Sequence, residues 1–138
     1  MRVDHFGTFL ALRFSIPEMI KNGRGSVINM ESVAGFGNST GGRSAYASSK
    51  AAAMNLTRTT AHAFAKDRIR INAVAPAAVG SERIKKMLEA KGALQLGVSV
   101  YSSRHIAACC GLSSVGRVSH DHRPCTPRGC RVVRRLSG

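Results

Sequence analysis

The pattern of apolar and polar positions divides the first 90 residues into alternating helices and strands. Helical spacing of apolar side chains predicts a helix over Asp4–Asn22, in which Pro17 removes one backbone hydrogen bond. A second helix is predicted over Ala45–Lys66, where apolar residues cover much of the circumference, so two faces should be packed. Short β-branched runs predict buried strands at Ser26–Met30 and Arg68–Val74.

A third helix is predicted to begin near Ser81, whose side chain is a suitable cap, and to continue through Leu88. Helices that alternate with strands through short connections imply parallel strands joined by crossovers, and hence an α/β fold. Two parallel strands need further strands to pair with their edges and further helices to cover their faces. We therefore expect a part of a larger, doubly wound parallel sheet.

Composition separates this region from the remainder of the 138-residue chain, whose formal net charge is +14. Residues 1–90 contain 13 Lys and Arg against 6 Asp and Glu, and they hold six of the seven aromatic residues. Residues 91–138 contain 8 Lys and Arg against one acid, together with all four cysteines. Because the helix–strand pattern does not continue past Glu89, we predict that 91–138 is an irregular basic tail, disordered or translated in a shifted frame.

Several functional classes are disfavoured by the sequence. The chain lacks a run of about 18 apolar residues, and charges near its start exclude a signal-peptide core, so we predict a cytoplasmic protein with no membrane partner. The cysteines and histidines between Cys109 and Cys130 lack the paired spacing of zinc sites, so no metal is predicted. The Arg-rich end has no interleaved aromatic residues, which favours only non-specific attraction to nucleic acid.

Candidate chemistry lies at Tyr46 and Lys50, four residues apart on the second predicted helix. That spacing places both side chains on one helix face, within reach of each other. A free tyrosine has a pKa of about 10, and a nearby fixed cation favours the phenolate. The pair is therefore typical of an acid–base site, although an exposed tyrosine beside a solvated lysine is the alternative for this spacing alone.

Ser32 and the loop Ala75–Ser81 follow the two predicted strands. Open α/β sheets place their ligands at the carboxyl ends of the strands, so both segments should border one crevice. The Ser32 hydroxyl would donate to a carbonyl oxygen while Tyr46 delivers a proton to the same atom. The alternative for Ser32 is a helix cap or a turn.

Three segments in this order resemble the short-chain dehydrogenase/reductase family: Ser26–Ser32, Tyr46–Lys50 and Arg70–Pro76. The resemblance covers about residues 3–90. It implies the catalytic half of a Rossmann-like, doubly wound parallel sheet, without the amino-terminal half that binds most of the cofactor. The reaction implied is hydride transfer between NAD or NADP and a secondary alcohol or ketone, which is a small-molecule substrate.

The same resemblance implies roles for individual residues. Tyr46 would be the general acid/base, Lys50 would acidify the phenol and bind the nicotinamide ribose, and Ser32 would orient the substrate oxygen. The residues implied in cofactor binding are Tyr46, Lys50, Pro76, Val79 and Ser81.

Three features depart from the family pattern. Asp4 stands where the family has an asparagine of the proton relay, and Ala77 stands where a glycine is usual. No Gly-rich phosphate-binding turn is found in the sequence, so we expect a fragment that binds the cofactor weakly. Intact members of the family often form homo-oligomers. The alternative function is therefore a non-catalytic module that pairs with full-length homologues through its two long helices.

Overall fold

The computed structural model describes residues 2–37, 43–90, 102–114 and 130–133, and it confirms the alternation of helices and strands. A π-helical turn, Arg2–Phe6, precedes the first helix, and 3₁₀ turns occupy Val33–Phe36 and Ala65–Asp67. The elements in chain order are α1 (Gly7–Lys21), β1 (Gly25–Met30), α2 (Ser44–Ala63), β2 (Ile69–Pro76), α3 (Glu82–Ala90), α4 (Ser103–Ser114) and β3 (Cys130–Val133).

The sheet has the order β1-β2-β3. β1 and β2 are parallel, in a register that runs from Gly25 opposite Ile69 to Met30 opposite Val74. The predicted α/β fold with parallel strands is therefore confirmed. β3 pairs with the other edge of β2 in the antiparallel sense, over the last four residues of β2.

α4 and β3 lie in the region that we predicted to be an irregular tail, and at these two elements the structure differs from the prediction. The reason is tertiary, because Ile106 of α4 is buried against Val74 of β2. A contact between residues so far apart in the chain leaves no mark on local sequence periodicity. The rest of 91–138 lies outside the described residues, so the predicted division at residue 90 stays a prediction.

Two apolar clusters lie on opposite faces of β2. Side chains in β2 alternate between the faces, so Ile69 and Ile71 point one way and Val74 points the other. The first cluster joins α1, α2 and β2, and its buried members are Leu12, Ile16, Ala61, Ile69 and Ile71. The second joins Val74 to Ile106, with Ile28, Val79 and Cys110 packed against it. β2 is thus a central strand covered by helices on both sides, as a parallel α/β sheet requires.

A polar contact fixes α2 against β1. Asn29 Nδ2 donates to Thr57 Oγ1 at 2.8 Å, and the Thr57 hydroxyl donates to the Ala53 carbonyl at 2.9 Å. Thr57 is 1 % exposed, and because its oxygen both accepts and donates, its burial leaves no unpaired polar group.

Among the described residues, none of the helices combines the length and the apolar character needed to cross a bilayer.

Candidate active site

The parallel register brings the two strand-end segments to one edge of the sheet. Met30 and Val74 are paired, and the Glu31 N–H donates to the Val74 carbonyl at 2.8 Å. The segment that contains Ser32 and the segment that follows β2 therefore leave the sheet from adjacent strands, at the same edge. These are the two segments that the sequence analysis placed at one edge of the sheet.

Ser32 caps the 3₁₀ turn Val33–Phe36. Its backbone is extended, and its Oγ accepts a hydrogen bond from the Ala34 N–H at 3.2 Å. The capping alternative for this serine is therefore realised in the structure. Capping uses the oxygen as an acceptor only, so the hydroxyl proton is still able to point at a substrate oxygen.

Tyr46 and Lys50 lie in the first two turns of α2 and differ sharply in burial. Tyr46 is 39 % exposed, whereas the Lys50 side chain is only 13 % exposed. An exposed phenol one helical turn from a largely covered ammonium suits a site in which the phenol meets a ligand from solution.

The Lys50 ammonium is held by groups from two other elements. Its Nζ donates to the Met30 carbonyl at 2.9 Å and lies 3.1 Å from Asp4 Oδ1. The contact with Met30 ties α2 to the end of β1, two residues before Ser32. The Lys50 ammonium therefore lies at the strand end that Ser32 follows, and Lys50 itself is one helical turn from Tyr46 on α2.

The segment after β2 carries the remaining predicted residues. Pro76 is buried at the end of the strand, and Val79 packs against Val74 and Ile106. Ser81 is exposed, and its Oγ accepts from the Ile84 N–H at 3.4 Å, so the predicted cap of α3 is confirmed. The Ser81 N–H donates to the Val79 carbonyl at 2.8 Å, which makes this segment a tight turn. A cofactor role for these three residues stays a prediction.

Sequence reasoning did not single out Glu31, which adjoins the predicted site. Glu31 is 4 % exposed, and its Oε2 lies 4.0 Å from Lys50 Nζ, too far for a hydrogen bond. Burial raises the pKa of Glu31 to about 7; Lys50 acts to lower it and Asp4 to raise it further. The available signal was a charged residue placed directly after a predicted strand, at the end where side chains of the candidate site gather.

The raised pKa of Glu31 predicts a pH-dependent loss of stability. The proton binds more tightly in the folded chain than in the unfolded chain, so this contribution is full below pH 4.5 and is lost as the pH rises through about 7. The original chain should therefore lose about 2 kcal/mol more free energy of unfolding between pH 5 and pH 8 than Glu31→Gln, whose side chain cannot ionise. Urea unfolding at both pH values measures the difference.

The control for this comparison is Glu18→Gln. Glu18 pairs with Lys21 on the surface of α1 at 2.7 Å, and both side chains are well exposed. Its replacement should leave the pH dependence of unfolding unchanged, since surface ion pairs contribute little. Equal pH dependence in Glu31→Gln and the original chain would contradict the buried, proton-binding state of Glu31.

Within the part of the chain that the structure describes, no group of three or more His, Cys, Asp or Glu side chains is arranged to hold a metal ion. His120, His122 and Cys125, which the sequence analysis weighed as zinc ligands, lie outside the described residues.

The fold and the site together define an α/β protein whose candidate chemistry lies at the carboxyl ends of parallel strands. The model of the short chain dehydrogenase family matches residues 1–92, about two-thirds of the chain. The chain therefore belongs to the short-chain dehydrogenase/reductase family, and the resemblance seen in the sequence is confirmed.

Individual relatives agree with this membership. The chain is 39 % identical over 90 residues to the 3-oxoacyl-[acyl-carrier-protein] reductase of Thermotoga maritima, which corresponds to 64 % of this chain and 36 % of the reductase. The chain spans about a third of the length of the curated relatives it matches.

Solved structures show the same fold. A structure of 4-hydroxyisoleucine dehydrogenase complexed with NADH matches with a TM-score of 0.68 and 25 % identity, over 85 % of this chain and 51 % of that one. ElxO with NADP bound matches with a TM-score of 0.63 and 25 % identity, over 78 % of this chain and 46 % of that one. The predicted partial Rossmann-like architecture is confirmed.

Proposed function

We propose that this chain carries the catalytic residues of an oxidoreductase that interconverts a secondary alcohol and a ketone by hydride transfer with NAD or NADP. The observation that supports this most directly is the position of Lys50. Its ammonium is fastened to the end of β1 by the Met30 carbonyl, next to Ser32 and one helical turn from Tyr46. Family membership makes this arrangement more than a chance pairing of tyrosine and lysine.

In the proposed reaction Tyr46 moves the proton and Ser32 positions the oxygen. For alcohol oxidation, the Tyr46 phenolate takes the hydroxyl proton as the carbon–hydrogen bond breaks and the new C=O double bond forms. The Ser32 hydroxyl donates to the same oxygen, which its capping contact with Ala34 permits. Lys50, one helical turn from Tyr46 on α2, supplies the positive charge of the proposed site. Ketone reduction follows the reverse path, with Tyr46 as the acid.

The cofactor, when bound, would accept or supply the hydride. The residues that fit its nicotinamide end are Tyr46 and Lys50, because the Lys50 ammonium has three N–H donors and two of them are committed to Met30 and Asp4. The third is available for a ribose hydroxyl. Pro76, Val79 and Ser81, in the segment that ends β2 and precedes α3, are the other residues proposed to bind the cofactor. No residue proposed here binds the phosphates, so we expect weak binding of the isolated cofactor.

The choice of substrate is guided by relatives alone. One relative is a 3-oxoacyl-[acyl-carrier-protein] reductase and another is a 2-(R)-hydroxypropyl-CoM dehydrogenase. The first name specifies an oxoacyl group and the second a hydroxypropyl group. Acetoacetyl thioesters and small secondary alcohols are therefore the first probes to use.

Turnover assays test the proposal. The full chain would be assayed with NADH and NADPH, both alone and after co-expression with the amino-terminal part of the Thermotoga maritima reductase. We expect cofactor oxidation by an acetoacetyl thioester in the co-expressed sample and much less in the chain alone. Absence of turnover from both samples, across the panel of probes, would contradict the proposed activity.

A second candidate function, association with other polypeptides, is favoured by the exposed apolar surface at the start of the chain. Phe6 and Phe9 stack with ring centroids 6.3 Å apart, and both are exposed. Phe14 is 70 % exposed farther along α1. Single exposed apolar residues are ordinary, whereas adjoining ones such as Phe6 and Phe9 can form part of a contact surface. Sedimentation velocity of the original chain and of Phe14→Ser tests this function. The original chain should associate more strongly than Phe14→Ser, and equal association would contradict a role for this surface.

A further inference from the structure

The Glu31 carboxyl is a buried acidic group that the proposed reaction does not use. Its side chain is 1 % exposed, and neither oxygen has a hydrogen-bond partner among the described residues. A buried carboxylate is stable only when it is paired, and otherwise it keeps its proton. The Glu31 carboxyl must therefore either pair with the Lys50 ammonium or carry a proton. At 4.0 Å from Lys50 Nζ, Glu31 Oε2 is close enough to pair after a small movement and far enough to remain protonated.

The Lys50 ammonium lies between two carboxyl groups. Asp4 Oδ1 is 3.1 Å from Nζ and Glu31 Oε2 is 4.0 Å away, while the Met30 carbonyl accepts at 2.9 Å. Met30 and Asp4 use two of the three N–H donors. The third donor has two possible acceptors, the Glu31 carboxylate on the buried side and a ligand beside Tyr46 on the open side.

We propose that Glu31 is a positioning residue for Lys50, and that loss of the Glu31 proton draws the third Lys50 N–H inward, away from Tyr46 and its ligand. With the proton on Glu31, the carboxyl is neutral and the ammonium is oriented by Asp4 and Met30 alone. With the proton lost, two carboxylates share one ammonium, and the cluster carries a net charge of −1. The inference rests on the proposed function of Tyr46 and Lys50.

Both forms of Glu31 coexist near neutral pH, since burial raises its pKa to about 7. The described charges that act on it are Lys50 from α2 and Asp4 from the π-helical turn. On the β2 side, the contact joins two uncharged backbone groups, the Glu31 N–H and the Val74 carbonyl. A pH change around neutrality is therefore expected to alter which acceptor holds the Lys50 donor.

Carbon-13 NMR of the glutamate side chains in the full chain tests the cluster without requiring activity. The chain has four glutamates, Glu18, Glu31, Glu82 and Glu89. We expect one carboxyl signal to titrate near pH 7 and to disappear in Glu31→Gln. Its midpoint should fall by about 1 in Asp4→Asn, which removes a negative charge, and rise by about 1 in Lys50→Met. The nitrogen-15 signal of the Lys50 ammonium should move with the same midpoint in the original chain.

Two NMR outcomes overturn the inference. If no glutamate signal titrates near pH 7, the buried carboxyl of Glu31 does not hold a proton near neutrality. If Glu31 titrates near 7 while the Lys50 signal stays constant, the two groups are not coupled. Neither outcome depends on a variant that has to fold, because both are read in the original chain.

The turnover assay separates this inference from the proposed function. In the co-expressed sample, the ratio of kcat at pH 6 to kcat at pH 8 should be roughly threefold to tenfold larger than in Glu31→Gln, with Glu18→Gln as the matched control. Turnover with unchanged ratios would overturn the role of Glu31 and leave the proposed function standing. Coupled NMR titrations without any turnover would overturn the proposed function while supporting the charge cluster.

Discussion

Replacing Tyr46 by phenylalanine is expected to lower turnover in the co-expressed sample by about 10²-fold to 10⁴-fold, the usual contribution of a positioned acid or base. The change removes one hydroxyl and keeps the ring. Because Tyr46 is 39 % exposed, its substitution should change the free energy of unfolding by less than about 0.5 kcal/mol. Steady-state kinetics and urea unfolding of the same preparation measure both quantities.

The matched control is Tyr101→Phe, since the chain has only two tyrosines. This variant should retain full turnover. A Tyr46→Phe variant that folds normally and keeps more than a tenth of the original kcat would show that another group transfers the proton.

The second large effect is expected from Gly35→Ala, which should lower the free energy of unfolding by about 3 kcal/mol, at the upper end of what overpacking costs. Gly35 lies in the 3₁₀ turn after Ser32, where the backbone of that turn meets α2. An added Cβ would lie 2.9 Å from the Ala51 nitrogen and 3.0 Å from the Lys50 carbonyl carbon. These are backbone atoms that cannot move aside alone, so the turn must separate from the helix.

Gly7→Ala is the control for this substitution, and chemical denaturation of both variants measures the effect. A Cβ at Gly7 would lie 3.8 Å from the Arg2 carbonyl oxygen, an ordinary contact, and the residue is helical. Alanine favours a helix over glycine, so this variant should be as stable as the original chain or slightly more stable. If both substitutions have the same effect, the close approach of the turn to α2 does not constrain the fold.

The sequence predicted the helices and strands of residues 4–90 from local patterns, which are the helical spacing of apolar residues in the helices and short β-branched runs in the strands. The ends of these helices and strands were predicted less well than their positions. α2 ends at Ala63 instead of Lys66, because a 3₁₀ turn follows and Arg68 adopts a left-handed backbone with φ of 57°. β2 continues through Pro76 because β3 pairs with its last four residues. A strand more than 50 residues away cannot be inferred from local pattern.

The candidate site was predicted in part for the same reason. Tyr46 and Lys50 share a helix, so their spacing alone places them on one face. Ser32 was placed by its position after a strand. The contacts of Lys50 with Asp4 and Glu31 depend on how the π-helical turn, β1 and α2 pack together, which local periodicity does not encode. That Asp4 and Glu31 lie beside Lys50 could therefore be learned only from the structure.

Consecutive residues of β1 are both fastened to α2, Asn29 through Thr57 and Met30 through Lys50. The two attachment points on the helix are seven residues, roughly 10 Å, apart along its axis. With two separated anchors, α2 can neither slide along the strand nor roll on it without breaking one of them. Ligand entry should therefore leave the helix and strand superimposable, and any adjustment to fit a substrate must come from the tyrosine ring and the segments that join the secondary structure.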